Sequence, residues 1–261
     1  MIALAVAAAA AISSPSLLDE AAHAIHVHRF QEARLILSQA QSNGLTGSRL
    51  DHLLADLAFE QKDYPQAELR YASLQTEEPN DSDVVERAAI AAFKAGDTAA
   101  SRRFAQIAVV LPGATWRAWN VKGVLCDYSA DWDCADKAFE AAGKLAPNQP
   151  EIINNEGWSR ALRGDWSAAR ELFRRAAALD PNSVRIVNNL NLADAAVAED
   201  LPRRRAGESD AEFAARLNDV GVVAQQRGDN GRAVAAFSQA IEQRDFWYTR
   251  AANNLAAAGG K

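Results

Sequence analysis

The chain has 261 residues, 49% of them hydrophobic and 24% charged, enough apolar material for one large globular domain or for a string of small units sharing a continuous core. Its net charge of -6 leaves no global basic field to recruit nucleic acid or anionic lipid, so neither is an expected partner. The uninterrupted apolar run Met1 to Ile12 is shorter than the roughly 20 residues that cross a bilayer as a helix, and no membrane span is expected.

That run, MIALAVAAAAAI followed by SSPS, has the apolar centre and small-residue exit of a secretory signal but lacks the usual positive charge ahead of the centre. Residues 1–14 are therefore read in one of two ways. They are a signal peptide, which places the chain in the periplasm or envelope, or an Ala-rich first segment of a cytoplasmic protein. No cysteine follows at the spacing of lipid attachment, so no lipid anchor is expected at this end. Next along the chain, AAHAIHVHRF holds three of the four histidines. On a helix His23 and His26 share a face with Asp19 while His28 points elsewhere, an incomplete set for a transition metal. No metal site is predicted.

A 34-residue interval then organises the sequence. Ala33, Ala67, Ser101, Ala135 and Ala169 recur at that spacing, small side chains where helices must touch. Three positions earlier stand Phe30, Tyr64, Trp132 and Trp166, with Thr98 breaking the series, and seven positions later come Ala40, Leu74, Ala108, Ala142 and Ala176. Leu37, Tyr71, Phe139 and Phe173 lie one helical turn beyond the small position, so a single stripe is being buried. KDYPQA, GDTAAS, ADWDCA and GDWSAA each supply a turn and a new helix start, and Pro79, Pro147 and Pro181 close units. The unit is a helical hairpin. Within one of them, Cys126 and Cys134 match neither a CxxC pair nor a zinc set. Two readings stay open: a disulfide across a hairpin of an exported protein, or two buried thiols.

This pattern resembles the tetratricopeptide repeat family. The resemblance implies an all-α fold, a right-handed superhelical array of antiparallel helix pairs. One register starts units at Ser14, Ser48, Ser82, Trp116, Pro150 and Val184, so the array is expected over residues 15–200. The fourth and fifth units match best, through Gly123, Gly157, Trp119 and the ends LAPNQP and LDPNS. The third, with Thr98, Ala105 and a displaced Pro112, is expected to pack less tightly. The sixth keeps its first helix, RIVNNLNLADAAVAED, but an irregular linker over 201–210, LPRRRAGESD, stands in place of the second. Over 211–261 the pattern returns through Gly221, Ala233, Phe237 and Ala240, with Ser209 and Glu212 at capping-box spacing and a capping helix from Phe246 to Ala258. Lys122 and Glu156 replace an expected Leu, and a partly buried ion pair between them is predicted.

No GxSxG elbow, GxxxxGK[ST] loop or HExxH pair occurs, so no enzyme and no cofactor are expected. The run Arg203 to Arg205 is read as a solvated loop. In the family the first helices line a concave groove that holds a protein or peptide. Asn120, Asn154, Asn155, Asn188, Asn189 and Asn218 fall at neighbouring positions of successive first helices, with Asn253 and Asn254 repeating the pair. Amides suit the alternating donors and acceptors of an extended backbone, yet they equally suit bonds between adjacent helices, and both readings stand. Trp158 is either a binding anchor or a packing residue, and Arg185 adds charge nearby. The family's carboxylate clamp for chaperone tails finds only Asn155 and Arg185, which disfavours that ligand.

The stretches NNEGWSRALRGDWSAARELFRRAAALDP and RAANNLA further resemble the TadD-type components of tight-adherence (Flp) pilus systems. That resemblance implies an assembly factor at the bacterial envelope. The alternative is a regulatory or accessory subunit of an enzyme or transport complex. Homo-oligomerisation through the open ends of the array is a further expectation.

Overall fold

In the computed structural model the described residues are 14–197, 201–243 and 248–259. Residues 1–13 of the expected export segment 1–14 lie outside them, as do Phe246 and Trp247 of the expected capping helix. The described residues form fourteen helices and no strand: α1 Ser14–His26, α2 Phe30–Ser42, α3 Ser48–Glu60, α4 Tyr64–Glu77, α5 Ser82–Ala95, α6 Thr98–Ala108, α7 Trp116–Asp127, α8 Trp132–Leu145, α9 Pro150–Leu162, α10 Trp166–Leu179, α11 Val184–Val197, α12 Asp210–Gln226, α13 Asn230–Glu242 and α14 Thr249–Gly259. The six unit starts read from the register are the first residues of α1, α3, α5, α7, α9 and α11.

Two local devices set where the second helices begin. Asp63, Asp97, Asp131, Asp165 and Asp229 each cap a helix, their carboxylates accepting from the backbone N–H of Gln66, Ala100, Cys134, Ala168 and Arg232. The residue before each cap is left-handed, which reverses the chain. Gly96, Gly164 and Gly228 adopt that conformation without cost, whereas Lys62 and Ala130 hold it at φ of 62° and 54°. α12 starts differently, through a reciprocal capping box between Ser209 and Glu212.

The small residues of the repeat sit where elements meet: Ala33, Ala67, Ser101, Ala135 and Ala169 are all fully buried. Ser101 is tolerated there because its hydroxyl donates to the Ala89 carbonyl at 2.8 Å. Tyr71, Leu37, Phe139 and Phe173 fill the space one turn on. At Gly157 the Phe173 ring approaches so closely that a Cβ would lie 2.7 Å from its Cε1, and Gly221 meets Phe237 in the same way. These glycines are there for contact, not for backbone freedom.

The chain divides into two compact units, residues 1–125 and 126–261. In the N-terminal unit the third repeat is not thinly packed, which corrects the expectation from Thr98 and Ala105. Phe104, one residue before the register position, fills the interior at 5% exposure, with Ala88, Ala89, Ala91 and Ala92 fully buried around it. Lys122 Nζ stands 5.2 Å from the Trp119 ring centroid. In the C-terminal unit the carboxylate of Glu156 lies 3.9 Å from Arg160 on its own helix. Each of the two unusual charges thus has a partner on its own helix.

Also in the C-terminal unit, Cys126 and Cys134 are joined as a disulfide with Cα atoms 5.8 Å apart, which decides between the two readings of the pair. The described residues from 201 to α12 work as a strap. Leu201 packs against Val220 of α12 and Ala236 of α13, and Val223 of α12 joins Ala193 and Ala196 of α11 in one cluster. α12 therefore covers the flank of α11 that a second helix would otherwise cover. Beyond it, Ala251 of α14 packs with Phe213, Leu217 and Ala240, and Ala258 with Ala224 and Phe237, closing the last pair.

Candidate functional site

The asparagine series divides by burial. In the C-terminal unit Asn154 is 1% exposed and Asn189 8%, and their side-chain amides meet at 2.7 Å. Asn218, 1% exposed, accepts from Asn254 Nδ2 at 2.9 Å. Buried amides must be paired, and these pairs link α9 to α11 and α12 to α14. In the N-terminal unit, on α7, Asn120 is likewise buried. By contrast Asn188 and Arg185 on α11 are exposed, while Asn155 on α9 is partly buried.

Trp158 links the buried and the open residues. It stands one turn beyond Asn155 on α9, partly buried against the cluster of Ala161, Phe173 and Ala193. Its ring meets that of Phe173 edge-on, with centroids 5.9 Å apart. When the Asn189 amide is turned so that its oxygen faces the indole, it accepts from Trp158 Nε1 at 2.9 Å, and its nitrogen donates to the Arg185 carbonyl. The side chain is thus held at both its polar and its apolar end, with part of its surface open beside Arg185 and Asn188.

A charged network braces the C-terminal end of α9 against its neighbours. Ser159, fully buried, donates to Asp127 at 2.7 Å and accepts from Arg163, which also grips both oxygens of Asp136 at 2.6 and 2.9 Å. Hydrogen bonding to Arg163 holds the Asp136 carboxyl below its ordinary range. Burial pushes Asp127 and Glu156 the other way. Arg163 lies over the Trp132 ring at 5.1 Å, so one guanidinium ties α8, α9 and the end of α7 together.

The N-terminal unit carries a feature that the repeat pattern did not signal. A cleft of about 350 Å³ is lined by Ala22 and Ile25 of α1, Leu53, Asp56 and Glu60 of α3 and Arg87 of α5, with His26 and His28 completing it. Asp56 accepts from the Tyr71 hydroxyl and from Arg87 Nη1 at 3.2 Å. Burial, and then the Asp56 carboxylate, push the Tyr71 phenol well above its ordinary value, so it remains a donor. These residues come from three successive units, and six of them pair at the 34-residue interval, Ala22 with Asp56, His26 with Glu60 and Leu53 with Arg87; each pair changes residue type, which is why a search for recurring residues misses the cleft.

Among the described residues, His52, Glu78 and Asp81 bring three potential ligand atoms within 4.8 Å of one another. Each carboxylate is already satisfied by protein donors. Glu78 binds Ser48 and the His52 ring, which hold it below its ordinary range, and Asp81 accepts from the N–H groups of Asp83 and Val84. His23, His26 and His28 are exposed, and Asp19 pairs with Arg49. The arginine run is tied down rather than free in its loop. Arg204 bonds Gln243 and Asp210 and lies over Phe213, Arg205 donates to Asn191, and the Arg203 carbonyl accepts from Arg216, whose guanidinium pairs with Glu208 at 2.7 Å.

A family model described as Tetratricopeptide repeat matches residues 155–183, the α9–α10 pair that carries Trp158 and Phe173. No curated protein matches the chain in sequence. Among solved structures, a tetratricopeptide repeat protein from Parabacteroides merdae is similar at 12% identity and a TM-score of 0.60, covering 94% of this chain and 98% of its own. PilW, described as a widely conserved type IV pilus biogenesis factor, is similar at 12% identity and a TM-score of 0.57, covering 94% and 97%. YrrB, described as having an unusual peptide-binding site, is similar at 15% identity and a TM-score of 0.53, covering 67% and 91%. The shared fold is the all-α array of tetratricopeptide helix pairs.

Proposed function

We propose that this chain is a non-catalytic scaffold that holds an extended polypeptide segment on the first-helix face of its C-terminal unit. Trp158 is the anchor, and Asn155, Arg185 and Asn188 are its polar contacts. The observation that carries this reading is the fixed, partly open Trp158, clamped by Phe173 and Asn189 between exposed polar groups. An aromatic side chain immobilised before binding loses little entropy when a partner covers it, which is how interface anchors concentrate affinity. Asn154, Asn189 and Asn218 act beneath that surface, fixing the spacing of the helices that present it.

The disulfide supports an exported protein, because such bonds persist in the periplasm and are rare in the cytosol. In that compartment the resemblance to TadD-type components, together with a fold shared with PilW, favours a role in pilus assembly.

The binding claim is tested with an array of overlapping peptides tiled across the pilus and other envelope proteins of the source organism. Discrete peptides should bind, and Trp158→Ala or Arg185→Glu should abolish their binding while helicity by circular dichroism is unchanged. Peptides captured equally by both variants would remove this face as the site. The pilus role is tested by deleting the gene. Surface pili should be lost and restored by the wild-type chain but not by Trp158→Ala, and unaltered piliation would refute that role.

A further inference from the structure

We propose that the cleft between α1, α3 and α5 of the N-terminal unit is a second polypeptide site, one that takes a segment carrying an arginine or lysine next to an aliphatic side chain. Three observations on the cleft converge on that ligand.

The first is charge. Arg87 is the cation of the lining, and it is already shared by two carboxylates, Asp56 at 3.2 Å and Asp83 at 3.1 Å. Its guanidinium is further fixed by the Tyr71 hydroxyl and by the Phe59 ring at 5.8 Å, so it is not available to a ligand anion. Glu60 has no hydrogen-bond or ion-pair partner among the described residues. Asp56 and Glu60 of the lining, with Asp83 on the far side of the guanidinium, outnumber the one arginine. One carboxylate, Glu60, is free to receive a cation.

The second is the apolar wall. Ile25 and Leu53 are 7% and 9% exposed and Ala22 is partly buried, so the floor beside Glu60 is a hydrocarbon surface. An arginine or lysine stem, or the aliphatic neighbour, fits against such a wall while the charged head reaches the carboxylate. The third is size. About 350 Å³ lies at the lower end of the range for ligand pockets and admits one long side chain with part of another, not a folded domain. The polarity is opposite to that of a carboxylate clamp, so acidic segments are repelled from this cleft.

This inference shares with the proposed function the premise that first-helix faces hold extended polypeptide, and the experiment separates the two. Random peptides displayed on phage are panned against the full chain at low ionic strength, where unscreened charge contributes most. Selected peptides should be enriched in Arg or Lys beside Leu, Ile or Val. A synthetic peptide of that class should bind Glu60→Lys about ten-fold or more weaker than wild type, the scale of a lost charge-assisted contact, with Glu60→Gln between. It should bind Trp158→Ala with unchanged affinity. Peptides without a basic residue, or equal affinity for Glu60→Lys, would overturn the inference. If Trp158→Ala abolishes binding and Glu60→Lys does not, the basic segment is read by the C-terminal unit, and this inference fails while the proposed function stands. If no peptide is selected, both fail.

Discussion

Replacing Gly157 with Ala tests the packing on which the C-terminal site depends. The new Cβ would stand 2.7 and 2.8 Å from two ring atoms of Phe173 and 3.2 Å from a third. Phe173 is fully buried and braced by the Trp158 edge, so the ring has nowhere to swing. Forcing a methyl group into a filled core costs about 1–3 kcal/mol. Against this, Ala gains about 1 kcal/mol over Gly in a helix interior. With a ring this confined the steric term belongs in the upper half of its range, leaving a net loss of about 1–2 kcal/mol. The assay is urea unfolding followed by far-UV circular dichroism, with Gly143→Ala as control, since a Cβ at Gly143 in α8 meets nothing within 4 Å. That control should be as stable as wild type or more so, by up to about 1 kcal/mol. A Gly157→Ala chain as stable as the control would refute the close-contact account of this glycine.

Three other predictions use the same kind of comparison. Ala130 holds a left-handed φ of 54° where the matching turns have Gly96 and Gly164, so Ala130→Gly should stabilise by about 1 kcal/mol, read as a raised melting temperature. Asp136 is depressed in the folded chain, so its contribution is present above its ordinary value of 3.8 and is lost as pH falls through the lower folded value. Asp136→Asn should therefore destabilise at neutral pH, and the gap from wild type should close as the pH of unfolding measurements is lowered below that ordinary value. Replacing Cys126 and Cys134 together with Ser opens a short loop, for which chain entropy predicts a loss of about 2 kcal/mol, matched by adding reductant to the wild-type chain and measuring unfolding.

The fold was legible because every helix pair solves the same contact problem. The small residue at 33, 67, 101, 135 and 169 is fully buried each time, and the turn before each second helix ends in a capping residue that is Asp from the second pair onward. The left-handed positions were only half visible, since Gly96, Gly164 and Gly228 declare themselves while Lys62 and Ala130 do not. Phe104 shows another limit: a large side chain one residue out of register fills the same space, so the third unit reads as weak and packs well.

The candidate sites were less legible. An asparagine on a first helix satisfies its amide on a neighbour or on a ligand with equal chemistry, and only burial separates Asn154 and Asn189 from Asn188. Trp158 belongs to both readings, packed along one edge and open along another. The arginine run is an exposed loop, as read, but its partners, Gln243, Asn191 and the Phe213 ring, lie up to 39 residues away and were not visible in the sequence. The N-terminal cleft stayed hidden for another reason. Its lining recurs at the 34-residue interval, but Ala22 gives way to Asp56, His26 to Glu60 and Leu53 to Arg87, so no residue type repeats to mark it.

The central claim is that a partner polypeptide lies on the first-helix face beside Trp158. Site-specific photocrosslinking in the source cells tests it most directly, with a benzophenone amino acid at exposed Asn188 on α11 or at exposed Glu171 on α10. The account predicts one discrete adduct from position 188, abolished by Trp158→Ala, and none from position 171. Adducts from 171 alone, or from 188 undiminished by Trp158→Ala, would contradict it.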